Sequence, residues 1–105
     1  RPEDAARAMI GRADAMPSDA GAQLAALEAV VVNRLEEGFA GDASRLLERI
    51  ASLAPDQPES LYVRGHFAKF SGDVYTARAL WQALLDRLPD DAPIAGQLRD
   101  AINAL

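Results

Sequence analysis

The feature that most constrains this 105-residue chain is a match with itself. Residues 38–56 laid on 72–90, an offset of 34, pair Gly38 with Gly72, Ala43 with Ala77 and Leu46 with Leu80. The same offset pairs Leu47 with Trp81, Ile50 with Leu84, Pro55 with Pro89 and Asp56 with Asp90. A recurring unit cannot bury its apolar face alone, so its copies must stack. The paired residues have roles that suit a stack. Small Ala43 and Ala77 allow close packing, Gly72 permits a turn, Trp81 fills an interior, and Pro55 and Pro89 stop whatever helix precedes them.

The unit is helical. The chain has 22 Ala and 13 Leu but only 10 β-branched residues, and Ala and Leu lose least on entering a helix. The one β-like run, Val30–Val32, lies inside a longer helical pattern between Glu28 and Arg34. Apolar spacing and breakers predict helices over 3–16, 18–37, 42–54, 58–71, 74–88 and 92–104. Pro17, Pro55 and Pro89 close helices, while Pro58 and Pro93 suit a first turn. Gly38, Gly41 and Gly72 mark turns, with Asp42 and Asp73 placed to cap the helices that follow. Connections this short make neighbouring helices antiparallel.

Thirty-four residues is the period of the tetratricopeptide repeat, and segment 58–91 resembles it: Leu61, Gly65, Gly72, Ala77, Trp81 and Pro89 fall in its order and spacing. Gly65 would let two helices approach closely. The preceding copy has Val31 where a small residue is usual, and Pro17 to Pro55 spans 38 residues, so a longer loop is expected around Asn33–Gly41. The expected architecture is all-α: helical hairpins stacked as a short right-handed solenoid in one domain. Residues 1–17 form a partial helix, 18–57 a degenerate repeat, 58–91 the best repeat and 92–105 a capping helix.

A narrower resemblance lies in Leu46-Leu47-Glu48-Arg49-Ile50-Ala51, in the turn Ala54-Pro55-Asp56-Gln57-Pro58, and in Gly72-Asp73 followed by Ala77 and Trp81. It ends in Leu88-Pro89-Asp90-Asp91-Ala92-Pro93. Residues 20–104 resemble the periplasmic repeat domain of the bacterial cytochrome c maturation proteins of the CycH (CcmI) kind. The resemblance implies a chaperone that holds apocytochrome c by its C-terminal helix and presents it to the haem-ligation proteins. It also implies a periplasmic location and a membrane-anchored segment upstream of Arg1. The alternatives are a generic bacterial repeat scaffold for envelope assembly or secretion, and a structural end of a longer solenoid that binds nothing itself.

Other readings of the chain are bland. Eleven basic against sixteen acidic residues leave a formal charge of −5, which argues against a nucleic-acid partner. With no Cys and one His, there are few candidates for a nucleophile–base pair, and neither a metal nor a cofactor is expected. His66 has Glu59 and Asp73 near it only at non-ligand spacings. Glu36-Glu37 reads as a solvated helix end, and Asp90-Asp91 as a pair at a helix start.

The binding expectation concerns the first helix of each hairpin, which lines the concave face of such solenoids. With Leu61, Gly65 and Ala68 on the core side, Tyr62, His66, Lys69 and Phe70 face the groove. At an offset of 34 their counterparts are Glu28, Val32, Leu35 and Glu36, while Asp100 and Asn103 would close the groove from the last helix. Aromatics at helical spacing are more often core, so Tyr62 and Phe70 also read as packing between repeats. Leu35 and Phe39, if exposed, would suit a dimer contact instead.

Overall fold

Pro2, Pro58 and Pro93 each open a helix, in a first turn where the missing N–H has no partner to lose. The computed structural model describes residues 1–105 as six helices and no strand: α1 (Pro2–Ala15), α2 (Ala20–Val32), α3 (Ala40–Leu53), α4 (Pro58–Phe70), α5 (Val74–Leu85) and α6 (Pro93–Asn103). No helix is long and apolar enough to cross a membrane. Asp19 caps α2, accepting from the Ala22 N–H at 3.1 Å. Asp73 caps α5, accepting from the Thr76 N–H at 3.1 Å and the Thr76 hydroxyl at 2.6 Å. Asp42 does not cap as expected. Helix α3 already begins at Ala40, so Asp42 lies in its first turn and accepts from Arg45 at 2.9 Å.

The largest departure from the sequence reading is the end of α2, expected at 37 and found at Val32. Asn33 folds back, its Nδ2 donating to the Ala29 carbonyl at 2.8 Å, and Arg34 adopts a left-handed backbone with φ 55°. The Arg34 N–H then reaches the Val31 carbonyl at 3.1 Å and the Leu35 N–H reaches that of Val30 at 2.9 Å, a Schellman termination. Helix α4 ends in the same way at Gly72, φ 87°, with Gly72 N–H on Lys69 and Asp73 N–H on Ala68. Residues 33–39 then lead to α3, whereas 71–73 suffice between α4 and α5.

This difference changes the register. Ala20 of α2 corresponds to Pro58 of α4 and Val32 to Phe70, an offset of 38, while Ala40 of α3 corresponds to Val74 of α5 at 34. The conformational partner of Gly72 is therefore Arg34, not Gly38. The α2 residue level with Gly65 is Leu27, not Val31. The physical reason is burial. Leu35 packs against the core and Phe39 is buried, with the Arg7 guanidinium 5.7 Å from its ring centre. Neither residue is free to serve the dimer contact considered above.

Two apolar clusters share α4. The larger joins Ile10 of α1, Leu27 and Val30 of α2, Leu46 and Ile50 of α3, and Val63 and Phe67 of α4. The smaller joins Leu61 of α4, Trp81 and Leu84 of α5, and Leu98 of α6. Helix α4 thus buries two faces, and Ala68, expected in the core, is only half-buried while Val63 and Phe67 are inside. Helix α4 also packs on α2 and very closely on α5. Trp81 lies close against Gly65, where an added Cβ would overlap the indole, and Trp81 Nε1 donates to the Tyr62 carbonyl at 3.1 Å. Ala43 and Ala77 are both buried, as are Ile50 and Leu84. Leu47, the counterpart of Trp81, is half-buried. Pro55 and Pro89 both lie beyond a helix end.

Polar contacts fix the remaining joints. Gln23, fully buried, donates to the Ala13 and Met16 carbonyls at 2.8 and 2.9 Å, satisfying the end of α1. Arg49 donates to Gln23 Oε1 at 3.1 Å and to Asp14 at 2.8 Å, while Arg45 makes a two-pronged contact with Asp14 at 3.0 and 2.8 Å. Hydrogen bonds from Arg45, and secondarily Arg49, hold the Asp14 carboxyl below its ordinary range. Arg64 and Arg87 donate to the Pro55 and Asp56 carbonyls and pin the connection from α3 to α4.

Candidate functional site

On the side of α4 away from the larger cluster, Tyr62, His66 and Lys69 follow one another at helical spacing, as expected, and line one depression. Its opposite wall is α6, through Ile94, Gln97 and Leu98, with Trp81 between them and a volume of about 260 Å³. A second depression of the same volume adjoins it towards the start of α4, between Glu28 of α2, Glu59 and Val63 of α4, and Leu84 and Leu88 beyond. Tyr62 and Ile94 border both, and both remain well exposed, at 41% and 45%. Tyr62 is held in place from below, its ring stacked on Trp81 at 6.3 Å between centroids and 22° between planes. The result is a shallow apolar surface across α2, α4 and α6, with Glu28, Glu59, Lys69 and Gln97 around it.

The other expected groove residues are scattered, and the change of register explains why. Glu28 joins the surface because it stands on α2 level with His66. Val32 is 78% exposed but lines neither depression, and Asn103 and Asp100 are likewise exposed outside them. Leu35 has left the helix for the core. Phe70, 55% exposed, turns to the other side of α4 and faces α3.

Glu36 is the clearest correction. Expected at a solvated helix end, it is 8% exposed and accepts from His66 Nε2 at 2.8 Å. Burial alone would raise its carboxyl. The His66 hydrogen bond, its own backbone N–H, and the charges of His66 and Arg34 outweigh that and leave it below the ordinary carboxylate range. An ionised carboxylate only accepts, so the His66 Nε2 carries the proton. The partner of His66 thus lies 30 residues earlier in the chain, in the segment between α2 and α3. Nothing in the local spacing around His66 signals it.

Sequence reasoning also missed Ile94, whose signal is its place directly after the helix-opening Pro93. Leu84 was read only as a repeat position and Leu88 only as part of the stretch that carries the family resemblance. The surface has no nucleophile paired with a base. It offers apolar contact, one aromatic ring, one imidazole already engaged by Glu36, and charges of both signs at its edge. That chemistry suits docking a polypeptide segment. No family model matches the chain, and no curated protein or solved structure matches it either.

Proposed function

We propose that this chain is a non-catalytic polypeptide-binding module that holds an amphipathic helix on the surface of α2, α4 and α6. The observation that carries the reading is the pair Tyr62 and Ile94. Two exposed apolar side chains, one braced by Trp81, form the common wall of adjoining depressions, as an anchor point for a ligand's apolar stripe requires. The finer architecture we propose is a short tetratricopeptide-type solenoid. Its supports are the close Gly65–Trp81 approach, the contact of α2 with α4, and the single apolar stripe Ala95, Leu98, Ala101 and Ile102 of α6. Such a stripe, with Arg99, Asp100 and Asn103 left outward, fits a capping helix.

The ligand proposed first is the C-terminal helix of an apocytochrome c, held in the periplasm for the haem-ligation proteins, because residues 20–104 resemble the maturation family. Calorimetric titration with that helix as a synthetic peptide tests this. Saturable binding is expected, absent with a scrambled peptide, and weakened at least about fivefold by Tyr62→Ala or Ile94→Ala in a chain still helical by circular dichroism. No heat with the cytochrome peptide removes the cytochrome assignment. Binding indifferent to both variants removes the surface.

A further inference from the structure

The two depressions that meet at Tyr62 and Ile94 are alike in size but opposite in charge. The one beside the start of α4 has Glu28 and Glu59 as its only charged residues. The one beside the end of α4 has Lys69, together with His66, whose Nε2 donates to the buried Glu36. Glu28, Glu59 and Lys69 are exposed, and none forms an ion pair within the chain. The charged residues nearest in sequence to the lining, Asp73, Arg87, Arg99 and Asp100, line neither depression. Glu59 and Lys69 are ten residues apart on one helix, which separates them by about 15 Å. That distance exceeds the screening length at physiological salt, so the two ends act on a ligand separately.

A surface with an apolar middle and ends of opposite sign selects both the ligand's charge pattern and its direction. Resting on the polypeptide-binding reading given above, we propose that the ligand is an amphipathic helix with an acidic first turn and a basic last turn. It lies antiparallel to α4, with its basic turn on Glu28 and Glu59 and its acidic turn on Lys69. Its apolar stripe covers Tyr62 and Ile94 between them. Acidic first turns and basic last turns complement a helix's own dipole, so the charges that seat the ligand also favour its helix. The reverse orientation would set like charges together at both ends. Exposed charges of this kind add little affinity and act chiefly on encounter rate, register and choice of partner.

The test uses two synthetic peptides of about 18 residues, long enough to hold a helix, with the same leucine stripe. One has glutamates in its first turn and lysines in its last, and the other has lysines in both. The first peptide should bind about fivefold tighter at low salt, whereas attraction by the chain's net charge of −5 alone would favour the second. A nitroxide on its last turn should broaden the amides of Glu28 and Glu59 most, and one on its first turn those of Lys69 and Ala101. Glu28→Lys and Glu59→Lys should each weaken binding about fivefold, a loss that shrinks as salt is added. Glu48→Lys on α3 makes the same change in net charge away from this surface and should have no such effect. The triple variant Glu28→Lys, Glu59→Lys, Lys69→Glu should bind the first peptide with the two broadening patterns exchanged. Tighter binding of the second peptide, broadening that ignores the label's position, or an equal loss in Glu48→Lys overturns the proposed direction and leaves the surface standing. Binding of neither peptide overturns both, as does self-association, followed by sedimentation, that Tyr62→Ala abolishes.

Discussion

Gly65 is a case where one absent Cβ sets the distance between two helices. With no side chain in the way, the Trp81 indole lies on the α4 backbone and donates to the Tyr62 carbonyl, which also positions the Tyr62 ring. Gly65→Ala must push the indole away, because the obstacle is a rigid ring and not a flexible chain end. The expected cost is about 1–3 kcal/mol, from overpacking offset slightly by better helix propensity. Urea unfolding of the variant measures it, and a loss below about 0.5 kcal/mol would mean that α4 and α5 tolerate a wider spacing. Both residues were legible in the sequence as a small residue and a bulky one with complementary roles. The carbonyl that accepts from Trp81 was not, since it depends on the rotation of one helix against the other.

At the scale of elements, the informative one is the connection 33–39. A longer loop there was readable from the 38 residues between Pro17 and Pro55. Its conformation was not. Arg34 occupies the left-handed position that Gly72 fills at the end of α4, and an L-residue with a Cβ is disfavoured there. Arg34→Gly is therefore expected to stabilise the chain by about 0.5–1 kcal/mol, the relief of strain exceeding the added freedom of the unfolded chain. Thermal and urea unfolding check it. A loss of stability would instead assign the charge of Arg34, which acts on Glu36, a larger part than its backbone strain costs. The same element explains the scattered site. Once α2 stops at Val32, counterparts counted at 34 fall on the wrong residues, and only Glu28 stays on the surface with Tyr62.

For the molecule as a whole, two acidic groups join elements far apart in sequence: Asp14 ties α1 to α3, and Glu36 ties the 33–39 connection to α4. Both carboxyls titrate lower when folded than when unfolded. Their contribution is thus complete above the unfolded values, ordinarily 3.8 for Asp14 and 4.5 for Glu36, and is lost as pH falls through the lower folded values. Stability measured by urea unfolding should hold level above about pH 5 as far as these groups are concerned, and fall towards about pH 3. Glu36→Gln should make that fall shallower and lower the plateau, since a neutral amide accepts a weaker hydrogen bond from His66. An unchanged acid slope in Glu36→Gln would remove Glu36 from the account.

What this sequence determined by itself was local: six helices with the Pro58 and Pro93 starts, the Asp73 cap and Gly72 turn, the paired small and bulky positions, and the Tyr62–His66–Lys69 face of α4. Each follows from propensity, from steric limits on the backbone, or from the helical period, all of which act within a few residues. Only the tertiary structure decided where α2 ends, which carboxylate meets His66, and that Phe70 faces α3 while Tyr62 faces α6. Those outcomes depend on the area that each apolar side chain can bury and on which polar groups lose water together. Both are settled between segments some thirty residues apart, such as Glu36 and His66, and no spacing along the chain encodes them.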